Sequence, residues 1–273
     1  MNKSLVWLAS FPKSGNTWLR IFLSNYLVND AAPVSLNDIT RIAHGDSNAA
    51  LYRRILPDLE RRSEIEILRA RGALLATIAG NGAGINLIKT HNVNGRHLGM
   101  PLIPRHLTKS AIYIVRNPLD VTLSYARHFG IDPEQAARSM ASVGNRTKAD
   151  SDSVPQYLGS WAENVRSWAC HPPFPVCVLK YEDMLLDPEA SFATALTHLG
   201  VPVDNERLVR AIEHSRFERV AQQEAEQGFL ERPRRAERFF AVGKSRQWDG
   251  VLPGKLVDTI RRHHAEVMGA LGY

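Results

Sequence analysis

The sequence predicts an α/β fold, in which helices cover both faces of a central, mostly parallel sheet. The first indication is a set of short apolar runs with the length of buried strands, at residues 5–9, 84–89, 111–115 and 176–180. The second is helical periodicity, which appears at residues 58–71, 119–127, 156–169 and 189–199. Because ligands of parallel sheets bind beyond the carboxyl ends of the strands, we expect functional side chains just after each strand.

No internal repeat, low-complexity tract or linker-like change of composition divides the 273 residues, so we expect a single domain over residues 1–273. Residues 130–155 and 222–246 are less regular and are predicted to be mobile loops. No apolar run is long enough to cross a bilayer, and Pro12 with Lys13 interrupts the first apolar stretch too early for a secretory leader. We therefore expect no membrane span and a cytoplasmic protein.

The formal net charge of +6 favours an anionic partner, such as a nucleotide, a nucleic acid or an acidic surface. The arginines are spread over several segments, and neither a long block of Lys and Arg nor a zinc-finger spacing occurs. Cys170 and Cys177 have no companion pair at zinc-site spacing, which favours free thiols in a reducing compartment over a small disulfide loop. A polyanionic nucleotide is enough to explain the basic excess, so we expect no nucleic-acid partner.

The most informative stretch is Ser-Phe-Pro-Lys-Ser-Gly-Asn-Thr at residues 10–17, between the first apolar run and a helical pattern. The start of a helix presents backbone N–H groups and the positive end of the helix dipole, which favours an anion. Gly15 lets the backbone approach a ligand, and Lys13 adds a mobile charge. The further donors are Ser14, Asn16 and Thr17. An ordinary strand-to-helix turn is the alternative, but these residues together supply every part of a phosphate site.

This loop differs from the common ATP and GTP loop. In that loop, a glycine and four further residues precede Gly-Lys-Ser/Thr. Here Lys13 comes before Gly15, the loop's only glycine, and the loop is shorter. The pattern therefore predicts a phosphate site of another kind.

A second signal is Lys89-Thr90-His91 at the end of an apolar run. Strand alternation puts Lys89 and His91 on the same side if the strand continues that far. Histidine is the side chain best matched to take a proton near neutral pH, although a lone histidine at a strand end is usually a surface residue. The position after a buried strand of an α/β sheet favours a functional role.

A third signal begins at Arg116, which ends the next apolar run. Pro118 can occupy the first turn of the following helix, and Ser124 lies two turns into it. Arg116 either forms an ion pair with Asp120 or binds a phosphate through its guanidinium fork, with the Ser124 hydroxyl as a second donor.

These three segments, in this order, resemble the motifs of sulfotransferases, which transfer a sulfuryl group from 3′-phosphoadenosine 5′-phosphosulfate (PAPS) to an acceptor. Residues 12–15 resemble the loop that holds the 5′-phosphosulfate, residues 89–91 the strand end that supplies a base, and residues 116–124 the segment that holds the 3′-phosphate. The combination is more specific than any single motif. Residues 158–168 resemble bacterial members of the family that sulfate natural products.

The resemblance implies a role for each matching residue. His91 is expected to be the general base, Lys13 to neutralise the bridging oxygen of the leaving nucleotide, and Lys89 to lie beside the sulfuryl oxygens. The implied nucleotide-binding residues are Lys13, Ser14, Gly15, Asn16, Thr17, Trp18, Arg116, Ser124, Tyr181, Ser215, Phe217, Gly243, Lys244 and Arg246. Trp18 and Tyr181 match residues that contact adenine, although Trp18 and Phe217 are also ordinary core positions.

One family element departs from its pattern. The family has Arg-Lys-Gly-x-x-Gly-x-Trp, whose basic residues close over the 3′-phosphate. Gly243 and Trp248 match it, whereas Ala241 and Val242 replace the Arg-Lys pair. Arg246 replaces the second glycine, and we expect this arginine or Lys244 to supply the charge from a shifted position. A solvated basic loop is the alternative.

The resemblance implies PAPS as co-substrate, no metal, and as acceptor the hydroxyl or, less often, the amine of a small molecule. The residues leave two other functions open, a nucleotide or small-molecule kinase and a non-catalytic nucleic-acid-binding protein. The loop pattern and the lack of a magnesium-binding carboxylate cluster argue against the first. The aromatic residues on apolar faces argue against the second. The sequence predicts neither the acceptor's identity nor the oligomeric state.

Overall fold

A computed structural model describes residues 3–233 and 236–273. Its strands, in chain order, are β1 (Leu5–Ser10), β2 (Ala43–Gly45), β3 (Asn86–Thr90), β4 (Arg96–His97), β5 (Met100–Pro101), β6 (Thr108–Val115) and β7 (Val176–Lys180). Five of them form one sheet in the order β2-β3-β1-β6-β7, and β4 pairs with β5 in an antiparallel ribbon. The prediction of an α/β fold with a central parallel sheet flanked by helices is confirmed.

The helices lie between and after these strands. They are α1 (Asn16–Val28), α2 (Ala49–Arg53), α3 (Glu64–Ala79), α4 (Pro118–Phe129), α5 (Pro133–Ala141), α6 (Trp161–Ala169), α7 (Tyr181–Leu186), α8 (Pro188–Leu199), α9 (Asn205–His214), α10 (Phe217–Gln227) and α11 (Gly254–Leu271). Short 3₁₀ helices cover Leu36–Arg41 and Leu59–Arg61. Over the part of the chain that the structure describes, no helix is both long and apolar enough to span a lipid bilayer.

Parallel pairing aligns the ends of the central strands. All six residues of β1 are buried. β3 runs parallel to β1, with Ala9 opposite Thr90, and parallel to β2 on its other side. Because β1 and β3 are paired up to Ala9 and Thr90, Ser10, the last residue of β1, and His91, the first residue after β3, lie at the same edge of the sheet.

Capping residues explain why two helices start later than their periodicity predicts. The Ser63 hydroxyl accepts from the Glu66 N–H at the start of α3, and the Glu66 carboxylate accepts from the Ser63 N–H. Ser160 and Glu163 form the same capping box at the start of α6. The helices predicted from residues 58 and 156 therefore begin too early.

The two stretches predicted as loops are only partly irregular. Helix α5 lies within residues 130–155, and α10 extends into residues 222–246. The loop prediction is wrong for these helical residues, because α5 is too short to give a clear period. It buries Ala136, Ala137 and Met140 and packs against α4 and α11.

The described residues form two compact units. The first comprises residues 3–11, 43–113 and 142–178, and the second comprises residues 12–42, 114–141 and the described part of 179–273. Cys170 and Cys177 are both unpaired.

A buried ion pair organises the first unit. Arg71 Nη2 lies 2.6 Å from Asp46 Oδ2, and both side chains are almost completely buried. Arg71 also donates to the Leu102 carbonyl oxygen, and Asn92 Nδ2 donates to the same Asp46 oxygen at 3.0 Å. Since Asn92 directly follows His91, the ion pair supports the chain that leaves β3.

Replacing Asp46 by alanine should lower the free energy of unfolding by about 3–5 kcal/mol, because the buried Arg71 guanidinium then has no charge partner. Denaturant unfolding followed by circular dichroism measures the loss. Asp38→Ala is the matched control, since the Asp38–Arg41 pair is exposed and its removal should cost less than about 1 kcal/mol. Equal losses in the two variants would contradict this role of the buried pair.

Candidate active site

The loop after β1 turns sharply before α1 begins. Lys13 has φ 69° and Gly15 has φ 108°, and both angles lie in the left-handed region. A Cβ atom at Gly15 would lie 2.7 Å from Cδ2 of Tyr181, so both the backbone angle and the space favour glycine. Gly15 is the N-cap of α1. The backbone N–H groups at the start of α1 therefore lie next to the loop, where an anion can accept from them.

Polar residues precede and begin α1, close in sequence to these N–H groups. Ser14 is buried, and its hydroxyl has no hydrogen-bond partner among the described residues. Asn16 is buried and Thr17 is half-buried in the first turn of α1. A buried hydroxyl without a partner is costly, so Ser14 has a donor and acceptor available for a ligand oxygen.

Lys13 lies among other cations of the second unit. Burial, followed by the charges of Arg116 and Arg127, lowers the pKa of Lys13 to about 7, although Glu224 and Glu231 act in the opposite direction. Its Nζ atom lies 3.8 Å from the centroid of the Phe239 ring. Burial and the charge of Arg116 also lower the pKa of Arg127. This concentration of positive charge favours an anionic ligand.

Arg116 connects the loop to the later segments of the site. It follows β6 directly and is 6% exposed. Its guanidinium donates to the carbonyl oxygens of Lys13 at 3.3 Å and Lys244 at 2.7 Å, and lies 4.1 Å from the centre of the Tyr181 ring. Its Nε has no hydrogen-bond partner among the described residues.

Asp120 anchors the segment that departs from the family pattern. Its carboxylate accepts from the backbone N–H of Arg246 at 2.8 Å and of Trp248 at 3.2 Å. Burial raises the pKa of Asp120, whereas the charge of Arg116 and these backbone N–H groups lower it. The Arg246 side chain is 77% exposed and pairs with Asp249. In this structure Arg246 joins the site through its backbone rather than through its charge.

Gly243 and Phe217 form a close contact near this segment. Gly243 has a φ of 65°, and a Cβ atom at this position would overlap the Phe217 ring. Ser215 is buried at the end of α9 and donates its hydroxyl hydrogen to the Ile212 carbonyl oxygen. The Lys244 side chain is exposed. The structure thus brings Phe217 and Gly243 together, although they are far apart in the sequence.

Trp18 and Tyr181 are neighbours in the second unit. Their ring centroids are 5.9 Å apart in an edge-on arrangement, and Trp18 meets Phe192 in the same way at 5.4 Å. Trp18 is half-buried, and its indole N–H has no hydrogen-bond partner among the described residues. Ser124 is half-buried on α4.

The geometry at His91 favours one tautomer. Its Nδ1 atom lies 2.8 Å from the Ser10 carbonyl oxygen, which can only accept a hydrogen bond, and 3.3 Å from the Ser10 hydroxyl oxygen. The carbonyl contact favours a proton on Nδ1, which leaves the lone pair on Nε2 when the ring is neutral. Lys89 belongs to β3, opposite Leu8 of β1 and Gly45 of β2. Lys89 and His91 lie in the first unit.

Sequence reasoning missed the residues that hold His91 in place. Asn164 is fully buried on α6 and donates to the carbonyl oxygen of His91 at 3.1 Å. The Tyr113 hydroxyl donates to Asn164 Oδ1 at 2.9 Å, which fixes the orientation of the amide. The Trp168 indole N–H donates to the Asn92 carbonyl oxygen at 3.0 Å. The resemblance over residues 158–168 includes Asn164 and Trp168 but does not indicate these contacts, because they depend on tertiary packing.

Among residues 3–233 and 236–273, no group of three or more His, Cys, Asp and Glu side chains could hold a metal ion. The donors of the loop are instead a lysine, hydroxyls and backbone N–H groups. They suit phosphate or sulfate oxygens directly.

The sulfotransferase domain model matches residues 3–272 of the chain. The chain belongs to the sulfotransferase family. The prediction of this family and of a sulfotransferase enzyme is confirmed.

Known sulfotransferases are similar over most of the chain. The flavonol 3-sulfotransferase of Flaveria bidentis is 27% identical over 98% of this chain and 82% of its own length. Sulfotransferase 1B1 of Mus musculus is 24% identical over 77% of this chain and 63% of its own length. The chain thus spans just under two thirds of the second relative.

Two solved structures have the same fold at lower identity. Mouse sulfotransferase SULT7A1 complexed with PAP has a TM-score of 0.65, at 19% identity over 98% of this chain and 84% of its own. Retinol dehydratase in a complex with retinol and PAP has a TM-score of 0.66, at 20% identity over 98% of this chain and 82% of its own. At this identity the likeness concerns the fold.

The low pKa of Lys13 predicts that nucleotide binding takes up protons. With a pKa of about 7, the Lys13 amine is mostly neutral at pH 8, and a neighbouring phosphate would restore its charge. Affinity for adenosine 3′,5′-bisphosphate should therefore fall as pH rises from 7 to 9, and uptake should vanish well below pH 7. Calorimetry in buffers of different ionisation enthalpy measures the proton count.

Lys13→Met should bind more weakly and without this uptake, whereas Lys255→Met, at an exposed position on α11, should behave as the unchanged protein. Undiminished proton uptake in Lys13→Met would assign the titration to another group.

Proposed function

We propose that this sulfotransferase transfers the sulfuryl group of PAPS to a hydroxyl of a small molecule. The observation that carries the proposal is the cationic cluster of Lys13, Arg116 and Arg127 beside the loop after β1. PAPS supplies a 5′-phosphosulfate and a 3′-phosphate, so its charges complement such a cluster. The PAP in two structures of the same fold supports this choice of nucleotide.

The nucleotide would be held by two groups of donors. In the loop, the N–H groups at the start of α1 and the side chains of Ser14 and Thr17 would bind the 5′-phosphate. Arg116 and Ser124 would bind the 3′-phosphate, which ATP lacks. Support for Arg116 comes from its buried guanidinium, which bonds two backbone carbonyl oxygens and forms no ion pair with a carboxylate of the described residues.

The aromatic residues and the segment at residues 243–246 would enclose the adenine of the nucleotide. Trp18, Tyr181 and Phe217 offer ring faces and edges for adenine. Ser215 and Gly243 would shape the same pocket, Gly243 through its close approach to Phe217. The exposed side chains of Lys244 and Arg246 would reach a 3′-phosphate only after the segment moves, with Asp120 as its anchor.

His91 is the proposed general base. Its lone pair on Nε2 would accept the proton of the acceptor hydroxyl as the acceptor oxygen forms a bond to sulfur. The bond from sulfur to the bridging oxygen breaks, and adenosine 3′,5′-bisphosphate leaves with that electron pair. Lys13 would neutralise the leaving oxygen and Lys89 the sulfuryl oxygens, so that catalysis consists mainly of positioning and charge stabilisation.

Two further expectations belong to this proposal. The family match over residues 3–272 supports a single sulfotransferase domain. The free thiols of Cys170 and Cys177 support a cytoplasmic protein, and the natural-product resemblance of residues 158–168 supports a bacterial one.

Calorimetric titration without magnesium tests the nucleotide. Adenosine 3′,5′-bisphosphate should bind tightly, whereas ATP and 5′-AMP should bind weakly. Binding of ATP but not of the bisphosphate would indicate a kinase, and preferential, salt-sensitive binding of RNA would indicate a nucleic-acid-binding protein.

Arg116→Ala should weaken binding of the bisphosphate by about tenfold or more, because a charge-assisted hydrogen bond is lost. Binding of 5′-AMP should change much less. Arg138→Ala, at an exposed position on α5, is the control and should leave both affinities unchanged. Equal losses of affinity for the two ligands would show that Arg116 does not bind the 3′-phosphate.

His91→Ala should lower turnover by about 100- to 10,000-fold, the usual contribution of a general base. Its affinity for the bisphosphate should change little, and His106→Ala, at an exposed position of the same unit, should keep full turnover. Initial rates with PAPS and calorimetry on the same preparations give the comparison. A parallel loss of affinity and turnover in His91→Ala would argue for a structural role.

A further inference from the structure

A cavity of about 420 Å³ opens within the first unit. Its size is typical of sites for small organic ligands. Every residue that lines it belongs to this unit, between residues 93 and 167. None of these residues was singled out by the sequence motifs of the nucleotide site.

The cavity adjoins the chain that carries His91. Val93, two residues after His91, lines it, and Glu163 and Ser167 line it from α6. Between those two positions on α6, Asn164 donates to the His91 carbonyl oxygen at 3.1 Å. The same helix therefore builds one wall of the cavity and holds the proposed base.

Flat and branched apolar groups form much of the wall. The rings of Tyr157 and His97 stack with centroids 3.8 Å apart and an interplanar angle of 23°. Val93, Leu102 and Val143 add aliphatic side chains. Such a wall favours a planar aromatic ligand, because its ring can contact both the stacked aromatic rings and the aliphatic side chains.

The charged side chains that line the cavity differ in whether they have a partner. Arg146 pairs with Glu64 at 2.7 Å, and the same carboxylate oxygen accepts from the Tyr157 hydroxyl. The Glu163 carboxylate is bound to the N-cap of α6, where the helix dipole also favours it. Arg96 is exposed, donates to a nearby backbone carbonyl, and forms no ion pair within residues 3–233 and 236–273. It is therefore the wall's cation without a carboxylate partner.

We propose that this cavity binds the sulfuryl acceptor, and that Arg96 selects a planar aromatic hydroxyl compound with an anionic substituent. The inference rests on the proposed function, because His91 must take the proton of the acceptor hydroxyl. The aromatic ring lies against Tyr157 and His97, and the anionic group pairs with the Arg96 guanidinium.

Two phenols of nearly the same shape test the charge preference. 4-Hydroxyphenylacetate is anionic at neutral pH, and 4-hydroxyphenylacetamide is neutral. With PAPS at low salt, kcat/KM should be about three- to fivefold higher for the carboxylate, as expected for an exposed ion pair. High salt should bring the ratio towards one. Calorimetric titration of both phenols into protein saturated with adenosine 3′,5′-bisphosphate gives the comparison without turnover.

Substitutions assign the preference to one side chain. Arg96→Gln should reduce the ratio to about one in both measurements. Arg105→Gln is the matched control, since Arg105 is an exposed arginine of the same unit that does not line the cavity, and it should keep the ratio.

A ratio of one in the unchanged protein, or an unchanged ratio in Arg96→Gln, would overturn the inference. Failure of the proposed function would look different, since adenosine 3′,5′-bisphosphate would not bind and the neutral phenol 2-naphthol would not be sulfated. Sulfation of 2-naphthol without binding of either 4-hydroxyphenyl compound would leave the function intact and exclude this acceptor class.

Discussion

The parallel pairing of β1 with β3 is the constraint on which the rest of the first unit depends. With Ala9 opposite Thr90, the residues that follow both strands emerge at one edge of the sheet. That register lets the Ser10 carbonyl oxygen meet His91 Nδ1 and so favours one tautomer of the histidine. A slip of one residue would turn the side chains of β3 to the opposite face and remove this contact.

The backbone at His91 is also held in place by buried polar side chains. The fully buried Asn164 binds its carbonyl oxygen, and the next residue, Asn92, is tied to the buried Asp46–Arg71 pair. A buried ion pair adds little net stability, yet it costs much to break, so it enforces one arrangement of the chain around it. The same packing leaves the cavity open beside α6.

In the second unit, unbalanced positive charge is the main physical constraint. Lys13 is half-buried, Arg116 is buried and Arg127 is exposed. Burial, followed by the charges of the two arginines, lowers the pKa of Lys13. A bound polyanion would offset this repulsion, so under the proposed function nucleotide affinity would depend on the protonation of Lys13. The Phe239 ring beside the Lys13 amine and the contact between Arg116 and the Lys244 carbonyl oxygen connect this charge to the segment that departs from the family pattern.

Local sequence signals predicted which strands and helices occur better than they predicted where the helices begin. Apolar runs located the strands of the main sheet except β2, which has only three residues. Helix starts at Glu64 and Trp161 were missed because capping boxes, rather than apolar periodicity, define them. The nine-residue α5 was missed because so short a helix depends on its neighbours for stability.

The sequence by itself determined the family and the α/β fold, because residues 10–17, 89–91 and 116–124 are short, local patterns whose order is specific. Only the tertiary structure decided which residues support them. The contacts of Asp120 with the backbone at Arg246, and of Asn164 with the backbone at His91, join segments distant in the chain. No local pattern encodes such contacts, because they arise when separate elements pack and buried polar groups must find partners.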